Sequence, residues 1–119
     1  MAGDRSTALE TLNGCELASV VFVRSYLQLT FDGPTLNAYV WPTVIENGVT
    51  HAISETGYRD ALCQQIGKRI VDAAKVGDEQ IVLRFADGSK ICFSLLEDDQ
   101  TGPEAVLIEA DGGKVWDVW

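Results

Sequence analysis

This chain is poor in the residues that catalytic and metal sites most often use. Its 119 residues include one histidine, one methionine, three prolines and three cysteines. Positive charge is scarce as well: nine Lys and Arg stand against 18 Asp and Glu, leaving a net charge of -9. Nucleic-acid binding needs a basic face, so the balance speaks against that class and equally against charge-driven docking on anionic lipid. No apolar run approaches the length of a membrane-spanning helix, and Val20–Val23, which no apolar run exceeds, reads as a strand. Met1–Ala8 holds no apolar core of a signal peptide. Cys15, Cys63 and Cys92 lie far apart without CxxC spacing, which fits neither a disulfide framework nor a zinc site. Reduced, packed thiols and a cytoplasmic location are therefore expected.

Catalytic templates are missing too. The sequence contains no GxxxxGK[ST], GxSxG, HExxH or GxGxxG pattern. A Ser or Cys nucleophile needs a nearby base, and His51 is the sole imidazole, read here within a loop from Glu46 to Glu55. Cys63, the one thiol on the helix candidate, is the nucleophile weighed against it, with an inert thiol as the expectation. The acids Glu97, Asp98, Asp99 and Glu104 form the one carboxylate cluster with acid–base or Ca²⁺-binding potential. Their spacing lacks the alternating Asp positions of an EF-hand, so a solvated acidic loop is the expectation. No cofactor and no metal are expected.

What the chain does have is a repeat. Gly14, Leu17 and Val20 recur 53 residues later as Gly67, Ile70 and Ala73. Leu27, Leu29 and Phe31 recur at an offset of 54 as Ile81, Leu83 and Phe85. Gly33, Leu36, Ala38 and Val40 recur at 55 as Gly88, Ile91, Phe93 and Leu95. Such drift marks a duplicated β-unit, because turns accept insertions and strand registers do not. Each copy, about 14–41 and 67–95, reads as a three-stranded meander. Leu27, Leu29 and Phe31 alternate with Gln28 and Thr30 at the period of a half-buried strand. Asp32-Gly33 and Asp87-Gly88 are hairpin-turn signals.

One helix is expected between the copies, at about 56–66, with Tyr58, Ala61, Leu62 and Ile66 on its buried stripe. A weaker helical pattern covers Ser6 to Leu12. The tail, 104–119, reads as a β-hairpin turning at Asp111-Gly112-Gly113, in the place after the second copy that the helix holds after the first. The expected fold is α+β and mostly antiparallel: two duplicated meanders related by a pseudo-twofold, one helix packed on the sheet, and a C-terminal hairpin, all in a single domain. The predicted core holds Leu17, Val21, Leu27, Leu29, Phe31, Leu36, Leu62, Ile66, Ile70, Ile81, Leu83, Phe85, Ile91, Phe93 and Leu95.

Charge is uneven along the chain. Residues 97–119 carry seven acids and one base, so -6 of the total -9 falls there. Trp116 and Trp119 lie in the same stretch. Aromatics within an acidic rim are the expected make-up of an interface centre. Trp116, Trp119, Glu97, Asp98, Asp99 and Glu109 are the interaction candidates, with a basic protein as partner. Tyr39 and Trp41 stand on the outward set of their strand and, with Tyr58, are candidates for a ligand cleft or a homodimer patch.

Several segments resemble a known group. They are Leu12-Asn13-Gly14-Cys15-Glu16-Leu17, Leu27-Gln28-Leu29-Thr30-Phe31-Asp32-Gly33, Tyr58-Arg59-Asp60-Ala61-Leu62-Cys63 closing at Ile66-Gly67, and Trp116-Asp117-Val118-Trp119. Together they resemble small bacterial proteins grouped as a domain family of unknown function, over nearly all of the chain after Leu12. The resemblance implies a bacterial origin and a compact β-rich domain, and no catalytic residue. The functional expectation is a non-enzymatic interaction protein with an acidic C-terminal face. An immunity protein or antitoxin is one concrete form, a small-ligand-binding domain is the alternative, and an enzyme using the acidic loop is the remaining class.

Overall fold

The computed structural model describes residues 8–96 and 104–119. Among the described residues, ten strands and one short helix follow a helical turn at residues 8–10. The strands are β1 (Leu17–Phe22), β2 (Leu27–Phe31), β3 (Thr35–Ala38), β4 (Thr43–Glu46) and β5 (Val49–His51). After helix α1 (Tyr58–Cys63) come β6 (Ile70–Val76), β7 (Gln80–Phe85), β8 (Lys90–Ser94), β9 (Val106–Ala110) and β10 (Val115–Val118). They form two five-stranded antiparallel sheets, ordered β1-β2-β3-β9-β10 and β5-β4-β8-β7-β6. The fold is α+β and mostly antiparallel, with the expected meanders and C-terminal hairpin.

Strand periodicity builds the core directly. In β2 Leu27, Leu29 and Phe31 are buried, while Gln28 and Thr30 between them are half-exposed. The inward rows of both sheets join α1 and the turn at residues 8–10 in one apolar cluster. Leu29 pairs with Leu36 in the first meander as Leu83 pairs with Ile91 in the second, so the repeated residues take corresponding places.

The correspondence extends to irregular features. Each meander opens with a register shift, between Leu17 and Ser19 in β1 and between Ile70 and Asp72 in β6. One extra residue there, Ala18 or Val71, bulges out and reverses the alternation behind it. That bulge is why Val21, expected in the core, is 41% exposed while Val20 packs inward.

The pseudo-twofold axis passes close to an isolated antiparallel bridge between Glu16 and Arg69. Gly14 N donates to Ile70 O at 2.8 Å and Gly67 N to Leu17 O at 2.7 Å. Ile70 N donates to Cys15 O at 2.8 Å and Leu17 N to Lys68 O at 3.1 Å. Exchanging each residue for its mate 53 positions away converts one bond of each pair into the other. Gly14 and Gly67 hold φ of 84° and 91°, a left-handed conformation that glycine adopts at little cost.

Two features depart from the sequence-based picture. The segment from Glu46 to Glu55, expected as a loop, contains the turn and second strand of the hairpin β4–β5. Asn47 and Gly48 take φ of 53° and 77°, the two positive values of a type I′ turn. This hairpin, and not the helix, is the counterpart of β9–β10. Leu36 pairs with Ile108 as Ile91 pairs with Val44. The hairpins are thus exchanged: β4–β5 follows the first meander but completes the sheet of the second, and β9–β10 does the converse.

Helix α1 is also shorter than 56–66. Beyond Cys63 the chain closes in i→i−3 turns: Gln65 N bonds Leu62 O and Ile66 N bonds Cys63 O, both at 3.1 Å. This tighter winding turns each residue further around the axis. Gln65 takes the buried position and Ile66, expected in the core, is 44% exposed. Its mate is the N-terminal turn, where Leu12 N bonds Leu9 O and Asn13 N bonds Glu10 O, again at 3.1 Å.

Candidate functional site

The outer face of the first sheet carries the C-terminal candidates. Pairing aligns its outward side chains in two rows. One runs Ser19, Thr30, Thr35, Glu109, Trp116, and the next runs Val21, Gln28, Asn37, Leu107, Val118. Ser19 Oγ and Thr30 Oγ1 share a hydrogen bond. Neither row contains a cation. Trp116 is 61% exposed and stands directly across from the exposed Glu109. Asn37 Oδ1, in the middle of the second row, is buried with no hydrogen-bond partner among the described residues.

Trp119 belongs to a different environment. It packs against the core, its backbone N donates to Val106 O at 2.8 Å, and its indole Nε1 is buried without a partner among the described residues. Asp117 Oδ1 accepts the Val118 N–H at 2.8 Å, satisfying one backbone donor of the strand. Glu109 and Trp116 are therefore brought together, Trp119 is set apart, and Glu97, Asp98 and Asp99 lie outside the described residues.

Tyr39, Trp41 and Tyr58 each take a separate partner. Tyr39 lies 5.6 Å from the Tyr26 ring. Trp41 stacks with Phe22 at 6.4 Å, and the Arg59 guanidinium sits 5.3 Å over the Phe22 ring. Tyr58 is buried in the core, and its hydroxyl donates to Pro42 O at 2.5 Å. Burial pushes its phenol above the usual range. Trp41 borders a hollow of about 260 Å³ with Thr43, Gln80, Cys92 and Ser94, whereas Tyr58 borders another of about 230 Å³ with Arg59.

The thiols occupy three environments. Cys63 is exposed on α1, while Cys15 and Cys92 are half-buried, with burial raising both above the usual thiol range. His51 lies on the edge strand β5, opposite Val44. Among the described residues no group of three or more His, Cys, Asp or Glu is placed to hold a metal ion. No helix of the described residues is long and apolar enough to cross a membrane.

One constellation escapes any reading of motifs. Lys68 Nζ lies 2.7 Å from Asp87 Oδ2 and 3.4 Å from Glu46 Oε2, and it donates to Gln65 Oε1 at 3.1 Å. Ser89 Oγ lies 2.7 Å from Gln65 Oε1 and 2.6 Å from Asp87 Oδ1. Gln65 Nε2 donates to Glu46 at 3.1 Å and to Ala61 O at 2.9 Å. Gln65 and Ser89 are buried, the cluster's members satisfy one another, and the bond from Lys68 holds the Asp87 carboxyl far below the usual range. Lys68 Nζ is engaged within the cluster by both carboxylates, by Gln65 and by Ser89, so its role is to hold these groups together. The cluster locks α1 to β4 and to the β7–β8 turn.

Its pseudo-twofold mates are apolar or nearly so. Gln65, Lys68, Ser89 and Glu46 correspond to Leu12, Cys15, Pro34 and Ala110. Asp87 is the residue that lengthens the second turn, so the insertion supplies the carboxylate on which the cluster turns. The signal available in sequence is this insertion together with Gln65 standing where tight winding of the helix end demands a buried side chain.

No protein-family model matches the chain, and no curated protein or solved structure is significantly similar to it. The likeness noted among its segments therefore carries no family assignment.

Proposed function

We propose that this protein is a non-catalytic binding protein that docks a basic protein on the outer face of its first sheet, around Trp116. The observation that carries the reading is the 61% exposed indole of Trp116, opposite Glu109 in a cross-strand row that holds no cation. Large aromatics dominate binding energy when they are buried at an interface centre, and the chain's net charge of -9 raises the encounter rate with a basic surface. An immunity protein or antitoxin against a basic toxin is one form this function would take.

Immobilised protein incubated with bacterial lysate at low and high ionic strength tests the proposal. A basic partner retained at low salt, released at high salt and lost with both Trp116→Ser and Glu109→Lys supports it. Retention unchanged by Trp116→Ser overturns it.

The hollow beside Trp41 supports a second reading, a small-ligand site in which an indole wall faces the Thr43 and Ser94 hydroxyls and the Gln80 amide. Quenching of Trp41 emission by members of a metabolite panel, abolished by Trp41→Phe, is its signature.

A further inference from the structure

We infer that the chain is a fused dimer: the edges of β3 and β8 are docking surfaces for a hairpin supplied by another copy of the same half-unit. A unit runs from a helical turn through a three-stranded meander to a hairpin, once over residues 8–51 and once over 58–118. Neither unit spends its hairpin on its own sheet. Hairpin β4–β5 docks on β8 through Thr43↔Cys92, Val44↔Ile91 and Ile45↔Lys90. Hairpin β9–β10 docks on β3 through Thr35↔Glu109, Leu36↔Ile108, Asn37↔Leu107 and Ala38↔Val106.

A unit kept to itself would leave its third strand unpaired on one side. It would also leave Val44, or Val106 and Ile108, without the core that buries them fully. The backbone bonds joining the units, Gly14 to Ile70 and Gly67 to Leu17, are exchanged by the axis, as the contacts of a symmetric two-subunit interface must be. That interface is built from the chain itself, and the partner each half fits is a second half.

The segment joining the units, 53–57, is exposed throughout, so it can be opened without touching either docking edge. A protease site inserted between Ile53 and Ser54 of the full chain, then cleaved, tests the inference. The cleaved pieces are expected to co-elute in native chromatography with an unchanged far-ultraviolet spectrum. Their melting midpoint should rise with protein concentration, while that of the uncleaved protein does not, because unfolding now releases two molecules. Separation of the pieces, or two melting steps independent of concentration, overturns the inference. Native-state hydrogen exchange on the unmodified chain gives the second measurement. Amides of β3, β8 and both docked hairpins should share one opening free energy, and exchange of the two sheets as separate units overturns the inference.

Discussion

Single residues in this molecule are set by conformation and by polar satisfaction as much as by hydrophobicity. Gly67 has φ of 91°, and nothing lies within 4 Å of the point a Cβ would occupy, so a side chain there has room but the wrong backbone conformation. Gly67→Ala should therefore cost about 1–2 kcal/mol in urea denaturation, and Gly14→Ala a similar amount. Gln65 is fully buried and looks replaceable by the Leu12 of the other half. Yet Gln65→Leu removes the acceptor shared by Ser89 and Lys68, and a loss of about 1–3 kcal/mol is expected, measured the same way. Asp87 is held below its unfolded value of about 4 chiefly by its bond from Lys68. The depressed value stabilises the fold above the unfolded pKa, and this contribution is lost as pH falls through the folded one. Asp87→Asn should flatten the pH dependence of stability below about pH 4, with a modest amplitude because the side chain is half-exposed. The sequence shows the extra Asp87 as a lengthened turn. It does not show the cluster, because Glu46, Gln65, Lys68 and Ser89 meet only after the hairpin crosses to the other sheet.

The elements show where pattern suffices and where it fails. The strands β2, β3 and β8 are legible because strict alternation leaves one register that buries Leu29, Leu36 and Ile91, and in β7 Ile81, Leu83 and Phe85 keep the same period although Val82 between them is buried too. The bulges at Ala18 and Val71 are not legible, since an extra residue leaves no mark in hydrophobic order, and alternation alone therefore puts Val21 on the wrong side. The Asn47-Gly48 pair is a turn signal in the sequence, but the short strands on either side of it are too weakly patterned to make hairpin β4–β5 stand out from a loop. Ala8-Leu9 and Ala61-Leu62 also stand 53 residues apart, so the repeat extends further back than Gly14. Of the candidate site, the pairing of Trp116 with an acid is foreseeable from the hairpin, but the neutral Ser, Thr and Asn rows beside it need the order of the sheet. Exchange of the hairpins makes Ile108 a core residue of the meander from the other half. Ile108→Ala should cost about 2–5 kcal/mol and speed hydrogen exchange in β3 as well as in β9.

Taken as a body, the protein is two similar halves that differ in what their sheets present. The first sheet shows an indole, hydroxyls and one carboxylate, whereas the second shows Asp72, Arg84 and Lys90 in a single cross-strand row. Trp116 is the most exposed of the large hydrophobics among the described residues, so Trp116→Phe should remove most of the acrylamide quenching of tryptophan emission and leave stability within about 0.5 kcal/mol. The crossing of hairpins also bears on biosynthesis. The outer edge of β3 stays open until residues 106–110 emerge, a wait of several seconds at about 5–20 residues per second on the ribosome. During that interval the nascent chain carries an unsealed strand. A ribosome-bound holdase would find its longest-lived target there, and slow codons between β8 and β9 would lengthen the exposure.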